Sequence, residues 1–295
     1  MRLAVRVVQA PDGGAALNGA NPAFGASPGV VITGGTRGIG YGLAKAFLAA
    51  GARVVISGRD AAVVQAAVAS LQAGAGGAQV SERVFGQACD ARNWGDMQAL
   101  WNFAEAELGA VDIWINNAGL GQPQTDLEGL EPGLIAAIFD TNCSGALYGC
   151  KAAMQGMKKR GRGAIYNLEG LGSSGGLIRG MTAYGASKRA LAYIVDSVAL
   201  EARGTGIIVG ALRPGMTATD LIVGEYRGKP DEWAKVRRIF NILSDTVETI
   251  APPLVERMLR NRRNGARIVW LTGFKVAMRF MTAPFAKRSI YPETL

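Results

Sequence analysis

Val30-Val31-Ile32-Thr33-Gly34-Gly35-Thr36-Arg37-Gly38-Ile39-Gly40 joins a short apolar run to a glycine-rich turn, and residues 39–50 continue from it at helical spacing. Strand, tight turn and helix in that order open a βαβ unit. Backbone N–H groups at a helix N-terminus point at an anion and the helix dipole favours it, while glycine lets the chain approach a phosphate without a Cβ clash. Thr33, Gly34, Gly35, Thr36, Arg37, Gly38, Ile39 and Gly40 are therefore candidates for a phosphate cradle. Their spacing, Gly34-x-x-x-Gly38-x-Gly40, differs from the G-x-G-x-x-G fingerprint.

Downstream, short apolar runs alternate with helix-patterned stretches. Strands are expected over 30–32, 53–57, 80–88, 111–116, 164–168, 206–212 and 267–271. Helices are expected over 39–50, 61–73, 96–108, 142–157 and 186–202. This pattern predicts an α/β fold, a single doubly wound Rossmann-type domain whose parallel sheet of about seven strands has helices on both faces. The domain is expected over 29–272. Residues 1–28, rich in Ala, Gly, Asn and Pro, read as a flexible N-terminal lead or a targeting remnant, and 273–295 as a basic amphipathic extension.

The chain has no histidine, which removes Ser-His-Asp hydrolysis and imidazole acid–base chemistry. Cys89, Cys143 and Cys150 have neither metal-ligand nor disulfide-framework spacing, so no metal site is expected. Proton transfer falls to Tyr, Lys, Asp, Glu or water. Tyr184 and Lys188, in Ala183-Tyr184-Gly185-Ala186-Ser187-Lys188, lie four residues apart on an expected helix. That spacing puts them on one face, where an ammonium can lower a phenol's pKa. At the end of the second strand, Ile56-Ser57-Gly58-Arg59 carries a cation and no acid, and Arg37 sits in the turn. A ribose 2′-phosphate needs such a charge, so the pattern favours NADPH over NADH.

The motifs together resemble the short-chain dehydrogenase/reductase family. The glycine turn matches its TGxxxGxG element, Asn116-Asn117-Ala118-Gly119 its NNAG element, Tyr184 and Lys188 its YxxxK pair, and Pro214-Gly215-Met216-Thr217-Ala218-Thr219 its PGxxxT segment. The resemblance implies that Asp90 contacts adenine, that Asn117, Ala118 and Gly119 lie along the cofactor, and that Pro214, Gly215, Thr217 and Thr219 hold the nicotinamide end. It also implies that Asn142 holds a water relaying protons to Lys188.

One loop departs from the wider family. Asn167-Leu168-Glu169-Gly170-Leu171-Gly172-Ser173-Ser174-Gly175 lacks the usual serine thirteen positions before the tyrosine and resembles the NxDGxGSxG loop of chlorophyll b reductases, with Glu169 in place of Asp. Phe240-Asn241-Ile242-Leu243 and Trp270-Leu271-Thr272-Gly273-Phe274-Lys275 resemble that group's C-terminal segments. The resemblance implies NADPH-dependent reduction of the C7 formyl group of chlorophyll b or chlorophyllide b to 7-hydroxymethyl chlorophyll, the first step of chlorophyll b breakdown. Tyr184 then donates the proton, Lys188 bonds the nicotinamide ribose, and Ser173 or Ser174 orients the carbonyl. Reduction of another lipophilic carbonyl, such as a steroid, retinoid or acyl ketone, stays open, as does a non-catalytic NADPH- or pigment-binding scaffold.

From Arg257 to Pro292 there are nine Lys or Arg and no acid. Residues 268–288 interleave Trp270, Phe274, Met278, Phe280, Met281 and Phe285 with cations. Such a segment either lies in a membrane interface or packs on the substrate cleft with its charges solvated. No nucleic-acid module accompanies it. The pigment reading implies a chloroplast location at the thylakoid membrane periphery, and the family resemblance implies a homo- or hetero-oligomer with related subunits.

Overall fold

The computed structural model describes residues 21, 22, 24–74, 82–219, 224–226, 228–285 and 288–292. Most of the N-terminal lead, the start of the expected third strand and Lys287 lie outside them. Seven strands run in parallel: β1 Gly29–Ile32, β2 Arg53–Gly58, β3 Val84–Ala88, β4 Ile113–Asn116, β5 Gly163–Leu168, β6 Ile207–Arg213 and β7 Arg267–Val269, in the order β3-β2-β1-β4-β5-β6-β7. The chain reverses its direction of winding between β1 and β4. The crevice at the carboxyl ends of these strands is where open α/β sheets bind ligands.

The core follows from strand alternation. Val30 and Ile32 of β1, with Val54 and Ile56 of β2, face one side; Val31 and Val55 face the other. Helices α1 Gly38–Ala49, α2 Ala61–Gly74 and α8 Val247–Arg260 cover the first side. Helices α3 Trp94–Leu108, α5 Gly145–Arg160 and α6 Thr182–Glu201 cover the second. Buried on both faces, the central strands β1 and β4 read as nearly continuous apolar runs. Asp60 accepts from the amides of Ala62 (2.8 Å) and Val63 (3.0 Å) and so caps α2.

Three further helices, α4 Pro132–Phe139, α7 Pro230–Leu243 and α8, go beyond those expected from periodicity. Pro252 and Pro253 lie inside α8, where proline removes a ladder donor. Burial of Ile250, Ala251, Leu254, Val255, Met258 and Leu259 against the sheet holds this stretch helical despite them. The last helix, α9 Gly273–Thr282, leaves the carboxyl end of the sheet after β7 and packs beside α7. Tyr226, Trp233, Phe240 and Tyr291 form a separate aromatic cluster, with Trp233 and Tyr291 edge to face at 5.5 Å.

Candidate active site

The glycine turn stands at the winding reversal and is braced from β4. Gly34 has φ +62 and Gly38 φ +55, conformations that disfavour any side chain. A methyl on Gly34 would meet the Ala118 Cα at 2.8 Å. Asn117 donates both side-chain N–H groups into the turn, to the carbonyls of Thr33 (2.9 Å) and Gly34 (2.8 Å). The Thr33 hydroxyl accepts from the amides of Asn117 and Ala118, each at 3.1 Å. Arg37 precedes α1 and no side chain caps the helix, so its first amides are available to an anion.

The segment 214–219 lies over this turn, with the Thr219 methyl 3.5 Å from where a Cβ on Gly38 would stand. The Thr217 hydroxyl oxygen is buried without a hydrogen-bond partner among the described residues. Arg37 and Arg59 are exposed beside the turn and the end of β2. Asp90 is engaged by Arg92, whose Nε and Nη2 reach the carboxylate at 3.0 and 2.6 Å, and these hydrogen bonds hold its pKa below the ordinary value. An uncapped helix start, glycines whose backbone and close neighbours leave no room for a Cβ, and an orphaned buried hydroxyl over the same crevice fit a phosphate-bearing dinucleotide.

Tyr184, Lys188, Asn142 and Ser173 come together across the crevice from the turn. Asn142 lies in a π-helical turn, Asp140–Ser144, between α4 and α5. A π-bulge in a helix is frequent at functional sites, because it re-aims a side chain. The Asn142 side chain accepts from the Leu120 amide at 2.8 Å and donates to the Leu120 carbonyl at 2.9 Å and the Ser187 hydroxyl at 3.0 Å. Ser187 in turn donates to the Tyr184 carbonyl at 2.7 Å. The Asn142 oxygen and the Lys188 ammonium lie 3.3 and 3.7 Å from where a Cβ on Gly119 would stand, so both face one small space.

Lys188 Nζ donates to the Leu168 carbonyl at 3.0 Å and lies 5.7 Å from the Tyr184 ring centroid. The shared helix face is as expected, but the electrostatics differ. Burial pushes the Tyr184 phenol up to about 12 and the Lys188 ammonium down to about 8. In the protein alone the lysine does not lower the tyrosine, because desolvation acts on both groups. Ser173 is buried and its hydroxyl accepts from the Gly170 amide at 3.1 Å, whereas Ser174 is exposed.

Residues 29–229 match the family model for short chain dehydrogenase. The chain is 34% identical to the probable chlorophyll(ide) b reductase NYC1, chloroplastic, of Oryza sativa subsp. japonica, an alignment covering 86% of this chain and 52% of that one. It thus spans about half the length of that relative. It is 35% identical to the chlorophyll(ide) b reductase NOL, chloroplastic, of the same organism, covering 86% of this chain and 74% of that one. The chain belongs to the short chain dehydrogenase family. In structure it resembles the 3-ketoacyl-(acyl-carrier-protein) reductase from Brucella melitensis complexed with NADH, with TM-score 0.71, 23% identity and coverage of 83% and 97%. That likeness bears on the fold.

Around the short chain dehydrogenase motifs the structure adds residues that sequence reading did not single out. Gln122 is buried, accepts from the Tyr184 amide at 2.7 Å and donates to the Gly180 carbonyl at 2.6 Å, tying the loop after β4 to the start of α6. Its partners lie about sixty residues away, so no local spacing signals it. Ser187 was visible beside Lys188 but carried no pattern of its own. Gly170 lies against the phenol: a methyl on it would stand 2.6 Å from the Tyr184 hydroxyl.

Proposed function

We propose that this chain is an NADPH-dependent reductase of the C7 formyl group of chlorophyll b or chlorophyllide b, giving the 7-hydroxymethyl product. The observation that carries the reading is the joint one. The Tyr184, Lys188 and Asn142 cluster is assembled in a chain that aligns over 86% of its length with proteins named chlorophyll(ide) b reductase.

NADPH, when bound, supplies the hydride for the formyl carbon. The amides at the start of α1 and the glycine turn would hold its phosphates. Arg59 and Arg37 would hold the 2′-phosphate, a reading supported by Asp60 being spent on the cap of α2. Thr217 would offer its unpartnered hydroxyl to the carboxamide. Tyr184 protonates the developing alkoxide. Lys188 supplies the positive charge that makes a phenol this buried usable, and Asn142 holds the water that refills its proton. Ser173 orients the carbonyl, the role that suits the buried hydroxyl rather than the exposed Ser174.

Two predictions test these roles. Gly170 has no positive φ, so alanine suits its backbone. Its methyl would nonetheless displace the phenol, and Gly170→Ala lowers turnover about 100-fold with little change in melting temperature. Arg59→Ser reduces the preference for NADPH over NADH about tenfold, read as the ratio of kcat/KM for the two cofactors. The reaction itself is tested by incubating the full chain with chlorophyllide b and NADPH and resolving pigments by chromatography. A 7-hydroxymethyl product supports the reading; tight NADPH binding without product sinks the pigment assignment.

The same reading puts the protein in a chloroplast, at the thylakoid surface. No helix among the described residues is long and apolar enough to cross a membrane. Phe274, Met278, Met281 and Phe285 follow one another at i, i+4, i+7 and i+11, and are 78, 38, 61 and 91% exposed. That stripe would enter the interface beside the crevice. Phe274→Ser with Phe285→Ser therefore releases the protein from galactolipid vesicles in a sedimentation assay, and unchanged sedimentation rejects this face. Tyr193 and Leu200 on α6, exposed with Leu147 on α5, support an oligomer face there.

A further inference from the structure

Glu169 lies in the loop after β5 that lacks the usual serine of the wider family, two residues before Leu171, and its surroundings give that loop a physical content. The side chain is fully buried, and its carboxylate pairs with Arg213 at the end of β6 and with Arg267 of β7, the latter at 3.4 Å. Arg267 also holds Asp196 on α6 at 2.8 Å, and the Glu169 amide donates to the Leu212 carbonyl at 2.9 Å. Glu169 is thus flanked in sequence by the two contacts of the proton-transfer pair. Leu168 accepts from Lys188, and Gly170 abuts the Tyr184 hydroxyl. Arg213, in turn, directly precedes the 214–219 segment.

We infer that Glu169 is a positioning residue acting through Lys188: its buried carboxylate, clamped by Arg213 and Arg267, seats the loop under Tyr184 and keeps the lysine's charge in place. A neutral side chain at this position could not balance two guanidinium groups, and removing one partner of a buried ion pair leaves the other charge uncompensated. The groups facing Lys188 are Tyr184 on its own helix, Cys143 on the π turn and Glu169 on the loop after β5. Burial lowers its pKa most, while Cys143 and Glu169 act to raise it. Those facing Glu169 are Arg213, Arg267 and, through Arg267, Asp196.

The inference rests on the reading of Tyr184 and Lys188 as the proton-transfer pair, and its test needs no substrate. The full chain is labelled with 13Cε-lysine, and Lys188 is assigned by loss of its signal in Lys188→Arg. Glu169→Gln leaves the arginines unbalanced, so Lys188 titrates about one pH unit lower. Glu169→Asp keeps the charge and the wild-type titration. Arg267→Gln leaves the carboxylate in excess and moves Lys188 upward, and it decides the matter alone if Glu169→Gln does not fold. A merely structural role lowers melting temperature with no change in titration. Unmoved titration in folded Arg267→Gln overturns the inference. Failure to reduce any carbonyl would instead sink the functional reading and leave this result standing.

Discussion

On the proposed reading, in which the Tyr184 hydroxyl supplies the proton, Tyr184→Phe lowers carbonyl reduction about 1,000-fold while NADPH still binds. The substitution keeps the aromatic ring and adds no volume, so the variant folds. The phenol is surrounded by Gly170 and the Lys188 chain, and burial holds it protonated to about 12. A donor of that strength is poor by itself. It becomes useful when positive charge is brought beside it, and the charge at hand is Lys188, whose own burial brings its pKa down to about 8. The rate of reduction therefore falls as pH rises through about 8, where the ammonium loses its proton. Rates from pH 6 to 10 for wild type and Tyr184→Phe check both statements. A variant with near wild-type turnover would remove Tyr184 from the mechanism.

The second large effect is on stability. Asp245 is 6% exposed at its side chain, and three donors converge on it: Trp270 Nε1 at 2.6 Å, Arg279 Nη2 at 2.5 Å and Arg288 Nη2 at 2.6 Å. Its backbone pairs with the segment after β6, through Ala218 to its carbonyl at 2.9 Å and its own amide to Met216 at 3.1 Å. Asp245 thereby fastens the C-terminal helix, through its carboxylate, to the loop that carries Thr217 and Thr219, through its backbone. Asp245→Asn leaves two guanidinium groups without their counter-charge and costs about 3 kcal/mol, seen as a lower denaturation midpoint and earlier proteolysis around α9. Burial works to raise the Asp245 pKa, and the bonds from Arg279, Trp270 and Arg288 outweigh it, leaving it below the ordinary carboxylate value. A depressed folded pKa gives stability that is present above the unfolded value of about 3.9 and is lost as pH falls through the folded one. Asp245→Asn accordingly flattens the acid limb of the stability profile.

Asp245 also corrects the reading of the C-terminal charges. From sequence, Arg279 and Arg288 are offered either to a membrane surface or to solvent; in the fold both turn inward to one buried acid, and Lys275 lies 3.1 Å over the Trp270 ring centroid. What α9 leaves outside is mainly its apolar stripe. On the proposed peripheral reading, contact of this segment with a bilayer would rest on Phe274, Met281 and Phe285 more than on charge. No spacing rule could have revealed this, since Asp245 is 34 residues from Arg279 and 43 from Arg288.

The features legible in the chain were those set by local geometry. A strand, a glycine turn and a helix follow one another within about a dozen residues, and hydrogen bonding and sterics at that range leave few alternatives. Tyr184 and Lys188 share a face because four residues make about one helical turn. The alternation of apolar runs with helical segments dictated the parallel sheet, since each strand needs both faces covered. Tertiary structure alone decided what those side chains experience. It set the burial that drives the Tyr184 and Lys188 pKa values in opposite directions, the bracing of the glycine turn by Asn117, and the clamp of Arg213 and Arg267 on Glu169. It also allowed α8 to form through two prolines. In each case the deciding partner comes from another strand or helix, and desolvation and ion pairing depend on distance in space, which sequence separation does not encode.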